Sequence, residues 1–106
     1  MNNYPLTQAN DFLEKTVFDK ALFFQNQGQL EKAIDVYQKV IQYHPTYSET
    51  YYNLAILYQQ QGLIEKAIEY YETAIAIAPE LICAYNNLGC LWLQVGEYNK
   101  AIQILN

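Results

Sequence analysis

The chain contains no arginine. Its six basic side chains are all lysine, set against eleven carboxylates, and its formal charge is −5 over 106 residues. Without guanidinium forks the bidentate grip on phosphate or guanine is missing, so nucleic acid is not an expected partner. Long apolar runs are also lacking. None approaches the roughly 20 residues that cross a bilayer, and the opening "MNNYPLTQAN" has no basic stretch followed by an apolar core, as an export signal would. No membrane partner is expected, and a cytoplasmic location is the default.

Catalytic material is equally sparse. His44 is the single histidine; it sits beside Pro45 at a helix end, where the negative end of the helix dipole favours it. Ser48, Cys83 and Cys90 have no histidine within sequence reach, and a nucleophile needs a base close by. The two cysteines fall seven apart in one predicted helix, about 10 Å along its axis, too far for a disulfide within it. They match no metal spacing and are read as small, semi-buried side chains. No phosphate loop or metal cluster is present. Neither enzyme chemistry nor a cofactor is therefore expected.

What the chain does have is repetition. "GQLEKAIDVY" begins at Gly28, "GLIEKAIEYY" at Gly62 and "GEYNKAIQIL" at Gly96, a spacing of 34 residues both times. A fixed period of that size decides the architecture before any local pattern does. In the second unit Tyr51, Leu54, Ala55 and Tyr58 recur at helical spacing up to Gln61 and Gly62. After the glycine, Ile64, Ala67, Ile68, Tyr71, Ala74 and Ile75 trace a second apolar stripe that stops before Pro79. Each unit is thus helix, glycine turn, helix, proline turn. Thr46 and Glu49 are placed to form a capping box at the start of the second unit's first helix. Ala33, Ala55, Ala67, Ala74, Gly89 and Ala101 occupy places where two helices approach closely. The eleven tyrosines mostly fall on core places.

The order aromatic, Leu, small, aromatic, then Ala, aromatic, Pro resembles the tetratricopeptide repeat. The second unit supplies Tyr51, Leu54, Ala55, Tyr58, Ala67, Tyr71 and Pro79, and the third Tyr85, Leu88, Gly89, Trp92 and Ala101. The first supplies Val17, Ala21, Phe24, Ala33, Tyr37 and Pro45, with Lys20 in the usual leucine place as a solvated terminal helix would allow. The resemblance implies an all-α fold, a right-handed superhelix (α-solenoid) of antiparallel helix pairs. Its divisions are a tail and helix extension at 1–13, repeats at 14–47 and 48–81, and an incomplete repeat at 82–106, with 1–6 expected as a loose tail. Such repeats usually bind proteins or peptides in a concave groove lined by the first helix of each pair.

Helical geometry locates the same lining. At 100° per residue, the face opposite each core stripe carries Lys15, Asp19, Leu22 and Asn26; then Glu49, Asn53, Ile56 and Gln60; then Cys83, Asn87, Cys90 and Gln94. Phe18, Tyr52 and Asn86 stand on its shoulder. The candidate peptide-binding residues are accordingly Asp19, Leu22, Asn26, Tyr52, Asn53, Ile56, Gln60, Asn86, Asn87, Cys90 and Gln94. An amide offers donor and acceptor together, so stacked asparagines can hold the main chain of an extended peptide; alternatively they only solvate a helix surface. The row resembles the asparagine ladder of O-linked N-acetylglucosamine transferases, matched at Asn53 and Asn87 and departed from at Asp19. The clamp with which related repeats capture chaperone carboxylate tails needs cations where this chain has Phe18, Leu22 and Cys83, so that ligand is not expected.

The expected function is a non-catalytic scaffold for a protein or extended peptide. A targeting arm of a larger enzyme such as a glycosyltransferase, and a self-assembly module, are the alternatives. The third unit's second helix has only Tyr98 to Asn106, with Ile102, Ile104 and Leu105 in place of a polar cap. The expectation is therefore a fragment of a longer protein that self-associates, most simply as a dimer, through its C-terminal end.

Overall fold

The computed structural model describes residues 6–105, with side-chain environments from residue 15 onward. They form six α-helices: α1 (Leu6–Asn26), α2 (Leu30–Tyr43), α3 (Ser48–Gln60), α4 (Ile64–Ile77), α5 (Ile82–Gln94) and α6 (Tyr98–Leu105). No strand occurs among the described residues. α1 packs on α2, α3 on α4, and α5 on both α4 and α6. The architecture is an all-α solenoid of helix pairs. Two compact units divide the chain, the first ending at Thr46 and the second beginning at Tyr47. Of the expected loose tail, residues 1–5 lie outside the described residues, and Leu6 is already helical.

Each helix pair is closed by the same backbone device. Gly28, Gly62 and Gly96 have φ of +76°, +81° and +84°, and they are the only described residues with positive φ. At the second turn the N–H of Gly62 donates to the Gln59 carbonyl at 3.0 Å, and that of Leu63 to the Tyr58 carbonyl at 2.9 Å. The same two bonds close the first turn (Gly28 to Gln25, Gln29 to Phe24) and the third (Gly96 to Leu93, Glu97 to Trp92). This is the Schellman arrangement, which satisfies the last helical carbonyls and reverses the chain.

A second feature follows the same period. Lys32 Nζ lies 5.7 Å from the centre of the Phe24 ring, Lys66 Nζ 4.9 Å from that of Tyr58, and Lys100 Nζ 5.9 Å from that of Trp92. The lysine of each glycine-led decapeptide therefore covers the aromatic that ends the preceding helix. Such a contact contributes about 0.5–1 kcal/mol at an exposed site.

In the first unit the buried apolar residues are Phe18 and Ala21 from α1 and Ala33, Val36, Tyr37 and Val40 from α2. In the second they come from all four helices: Leu54, Ala55, Leu57 and Tyr58; Ala67, Tyr71 and Ala74; Ala84, Leu88 and Leu91; and Ala101. The expected close-approach residues Ala33, Ala55, Ala67, Ala74 and Ala101 are all fully buried. Gly89 is buried too, and a Cβ there would stand 2.6 Å from Leu105 Cδ2. Leu57, Ala84 and Leu91 lie outside the expected stripes. α5 has a neighbour on either side within its unit, so more than one stripe is covered.

Three expectations are corrected. The capping box of Thr46 and Glu49 does not form: Tyr47 is the N-cap residue of α3, and no side chain caps that end. Thr46 thus lies one residue outside the cap, out of register with the free N–H groups. Cys83 and Cys90 are exposed free thiols instead of semi-buried ones. Among the described tyrosines only Tyr37, Tyr58 and Tyr71 are buried, while Tyr43, Tyr47 and Tyr98 are exposed, because the rings lie at the helix edges as often as in the seams.

Nothing lies within 4 Å of a Cβ built on Gly62, so the cost of a side chain there is confined to the backbone. Gly62→Ala is expected to destabilise the protein by about 1–2 kcal/mol, and Gly62→Asn by less, since asparagine visits the left-handed region more readily. Urea denaturation of the two variants checks this; an alanine variant as stable as the parent would remove the turn constraint.

Candidate functional site

The candidate face of the second unit is built on α3 and α5. Gln60, Asn86, Cys90 and Gln94 are exposed, whereas Tyr52, Asn53, Ile56 and Asn87 are half-buried. In the first unit Asp19 and Asn26 are exposed and Leu22 is half-buried. Phe18, expected on the shoulder of the face, is instead buried, with its ring edge-on to Tyr37 at 5.5 Å. A phenylalanine has no polar edge to hold in water, so the seam between α1 and α2 takes it.

Among the expected residues, Tyr52 and Asn87 are joined directly. Asn87 Nδ2 donates to the Tyr52 hydroxyl at 3.2 Å and to the Tyr71 hydroxyl at 3.3 Å. Tyr71 in turn donates its proton to Gln59 Oε1 at 2.9 Å, and its ring lies 5.9 Å from that of Tyr52. One amide on α5 thus ties α3 and α4 together through two phenols.

Sequence reasoning placed Tyr71 in the core and missed its hydroxyl and Gln59. A signal was available. The first unit repeats the link, with Tyr37 donating to Gln25 Oε1 at 2.8 Å, so glutamine and tyrosine recur together at the period of 34. In the third repeat the same two places hold Leu93 and Leu105.

Burial dominates the phenol chemistry. It pushes Tyr71 up to about 12, with Tyr52 nearby adding to the rise and the Asn87 amide opposing it. Tyr52 is raised for the same first reason, with the Cys83 thiol beside it adding and Asn87 opposing. No group of three or more His, Cys, Asp or Glu side chains among the described residues could hold a metal ion, and no helix among them is long and apolar enough to cross a membrane.

The family model for the tetratricopeptide repeat matches residues 13–80, more than half of the chain. The chain belongs to the tetratricopeptide repeat family. Among solved structures this tetratricopeptide repeat chain is similar to a crystal structure of MamA, with 28% identity and a TM-score of 0.82 over 86% of this chain and 53% of that one. The Sgt2 TPR domain from Aspergillus fumigatus has 24% identity and a TM-score of 0.77, over 86% and 60% of the two chains. A human IFIT1 dimer with PPP-AAAA has 21% identity and a TM-score of 0.80, over 86% and 24%. The last two likenesses bear on the fold alone. The chain spans about half the length of the MamA chain it matches. No curated protein matches it.

Tyr71 makes stability depend on pH in the alkaline range. Its folded value of about 12 lies above the unfolded value near 10, so between the two the unfolded chain releases the proton first. The stabilising contribution is fully present below pH 10 and is lost as pH rises towards 12. Denaturant melts across that window are expected to show the fall, and Tyr71→Phe to lessen it while the raised Tyr52 still contributes; equal slopes in the two proteins would refute the assignment.

Proposed function

We propose that the chain is a non-catalytic scaffold that binds a protein or an extended peptide along the first-helix faces, through Asn53 and Asn87 with Ile56 and Cys90 beside them. The observation that carries this is the bond from Asn87 on α5 to Tyr52 on α3. It sets two first-helix faces side by side within one compact unit, with amides and apolar side chains alternating along them. Amides hold main chain without regard to side chains, and the apolar neighbours supply desolvation. The α3 and α5 face carries no cation to draw a nucleic acid, and the family's usual role is protein interaction. Replacing Asn53 and Asn87 together by alanine is expected to weaken binding of a peptide selected from a random display library by about 1–3 kcal/mol. Helicity should be retained. Calorimetry with an unchanged affinity would remove the amides from the binding surface.

A second reading, self-association, is favoured by the large apolar side chains exposed on the last helix pair. Leu93, Val95, Tyr98, Ile102 and Leu105, all within α5, α6 and the turn between them, are open to solvent, and exposed apolar surface favours association. Sedimentation from micromolar to near-millimolar concentration is expected to show a rising mass that Ile102→Lys abolishes. A constant monomer mass would exclude it.

A further inference from the structure

Tyr71 has one proton, and Gln59 Oε1 receives it. Its oxygen can therefore only accept from Asn87, which fixes the side on which the Asn87 NH2 group lies. The second N–H of that group is taken by the Tyr52 hydroxyl. Both donors of the amide are thus committed inside the protein, and only the carbonyl Oδ1 is left. Among the described residues Thr50 Oγ1 is the buried side-chain polar atom without a partner, and Asn87 Oδ1 is not. That oxygen accepts no hydrogen bond within the protein and is not buried, so it is open to solvent.

The charges of the second compact unit are one-sided. The second unit carries Glu49, Glu65, Glu69, Glu72, Glu80 and Glu97 against Lys66 and Lys100 alone. Those two lysines lie over the Tyr58 and Trp92 rings, and Glu49 is the one charged residue on the α3 and α5 face.

We propose that Tyr52 and Tyr71 are positioning residues that hold Asn87 with its acceptor outward, so that the face takes an extended peptide by a main-chain N–H and favours neutral or basic segments over acidic ones. This deepens the peptide-binding reading and rests on it. A peptide carbonyl placed at Asn87 would meet a second acceptor with no proton between them, whereas an N–H completes the amide's set. An acidic side chain would meet Glu49 and no cation on the α3 and α5 face; a lysine or arginine would find Glu49 as a partner.

The test uses the full chain and a peptide selected against it from a random display library, with two derived series. In one, each main-chain N–H is methylated in turn; in the other, each residue is replaced by glutamate or lysine. Methylation at one position is expected to cost about tenfold in affinity for the parent protein and almost nothing for Asn87→Ala. Tyr52→Phe keeps the half-buried ring and frees one amide N–H, so it is expected to shrink that penalty several-fold while circular dichroism stays unchanged. Glutamate substitutions should weaken binding more than lysine substitutions. A parent protein indifferent to every methylation, or a penalty that survives in both Asn87→Ala and Tyr52→Phe, overturns the proposal while leaving peptide binding intact. If no peptide is enriched, or the chosen one binds Asn53→Ala and Asn87→Ala as it binds the parent, the peptide-binding reading falls and the proposal falls with it.

Discussion

The left-handed backbone at Gly28, Gly62 and Gly96 is the constraint on which the remaining structure depends. An α-helix cannot reverse its chain while leaving its last carbonyls bare, and the two bonds made at each glycine satisfy them within a three-residue turn. Once the turn is fixed, the next helix returns along the first, and the seam between them is set by residues of fixed spacing. The small side chains Ala33, Ala55 and Ala67 are buried because the turn brings backbones close, and Gly89 makes room for Leu105 in the same way. The lysines over Phe24, Tyr58 and Trp92 follow as well, since the turn puts each of them back above the aromatic that ends the previous helix.

Much of this was legible because it is periodic. The second apolar stripe expected between Gly62 and Pro79, from Ile64 to Ile75, falls wholly within α4. There a glycine and a proline punctuate an apolar stripe, and local rules suffice. The rules that failed concern single groups. The capping box at Thr46 and Glu49 needs a register accurate to one residue, which a stripe does not define, and the helix begins at Ser48. The exposure of Cys83 and Cys90 depends on which side of α5 faces its two neighbours, a property of packing.

The candidate face was legible in outline and not in its chemistry. Helical spacing places Asn53 and Asn87 on one side of their helices, but it says nothing of what lies within 3.5 Å of an amide. The double donation from Asn87 requires three helices at once, with Tyr52, Tyr71 and Gln59 contributing from two of them. Two of those groups look like ordinary core or surface residues in the sequence. A tyrosine on a helical seam counts as an apolar ring until its oxygen is placed.

The glutamine and tyrosine that pair in the first two repeats are both replaced, in the third repeat, by Leu93 and Leu105. A polar pair thus gives way to an apolar one at both ends together, never at one. A chimaera cut at the glycine turn, taking one helix from the third repeat and the other from the first or second, would set an amide against a leucine or a phenol against one, leaving a hydrogen-bonding group without its match. The natural seam for exchanging these modules is therefore the connection between helix pairs, and the conspicuous glycine turn is the wrong place to splice.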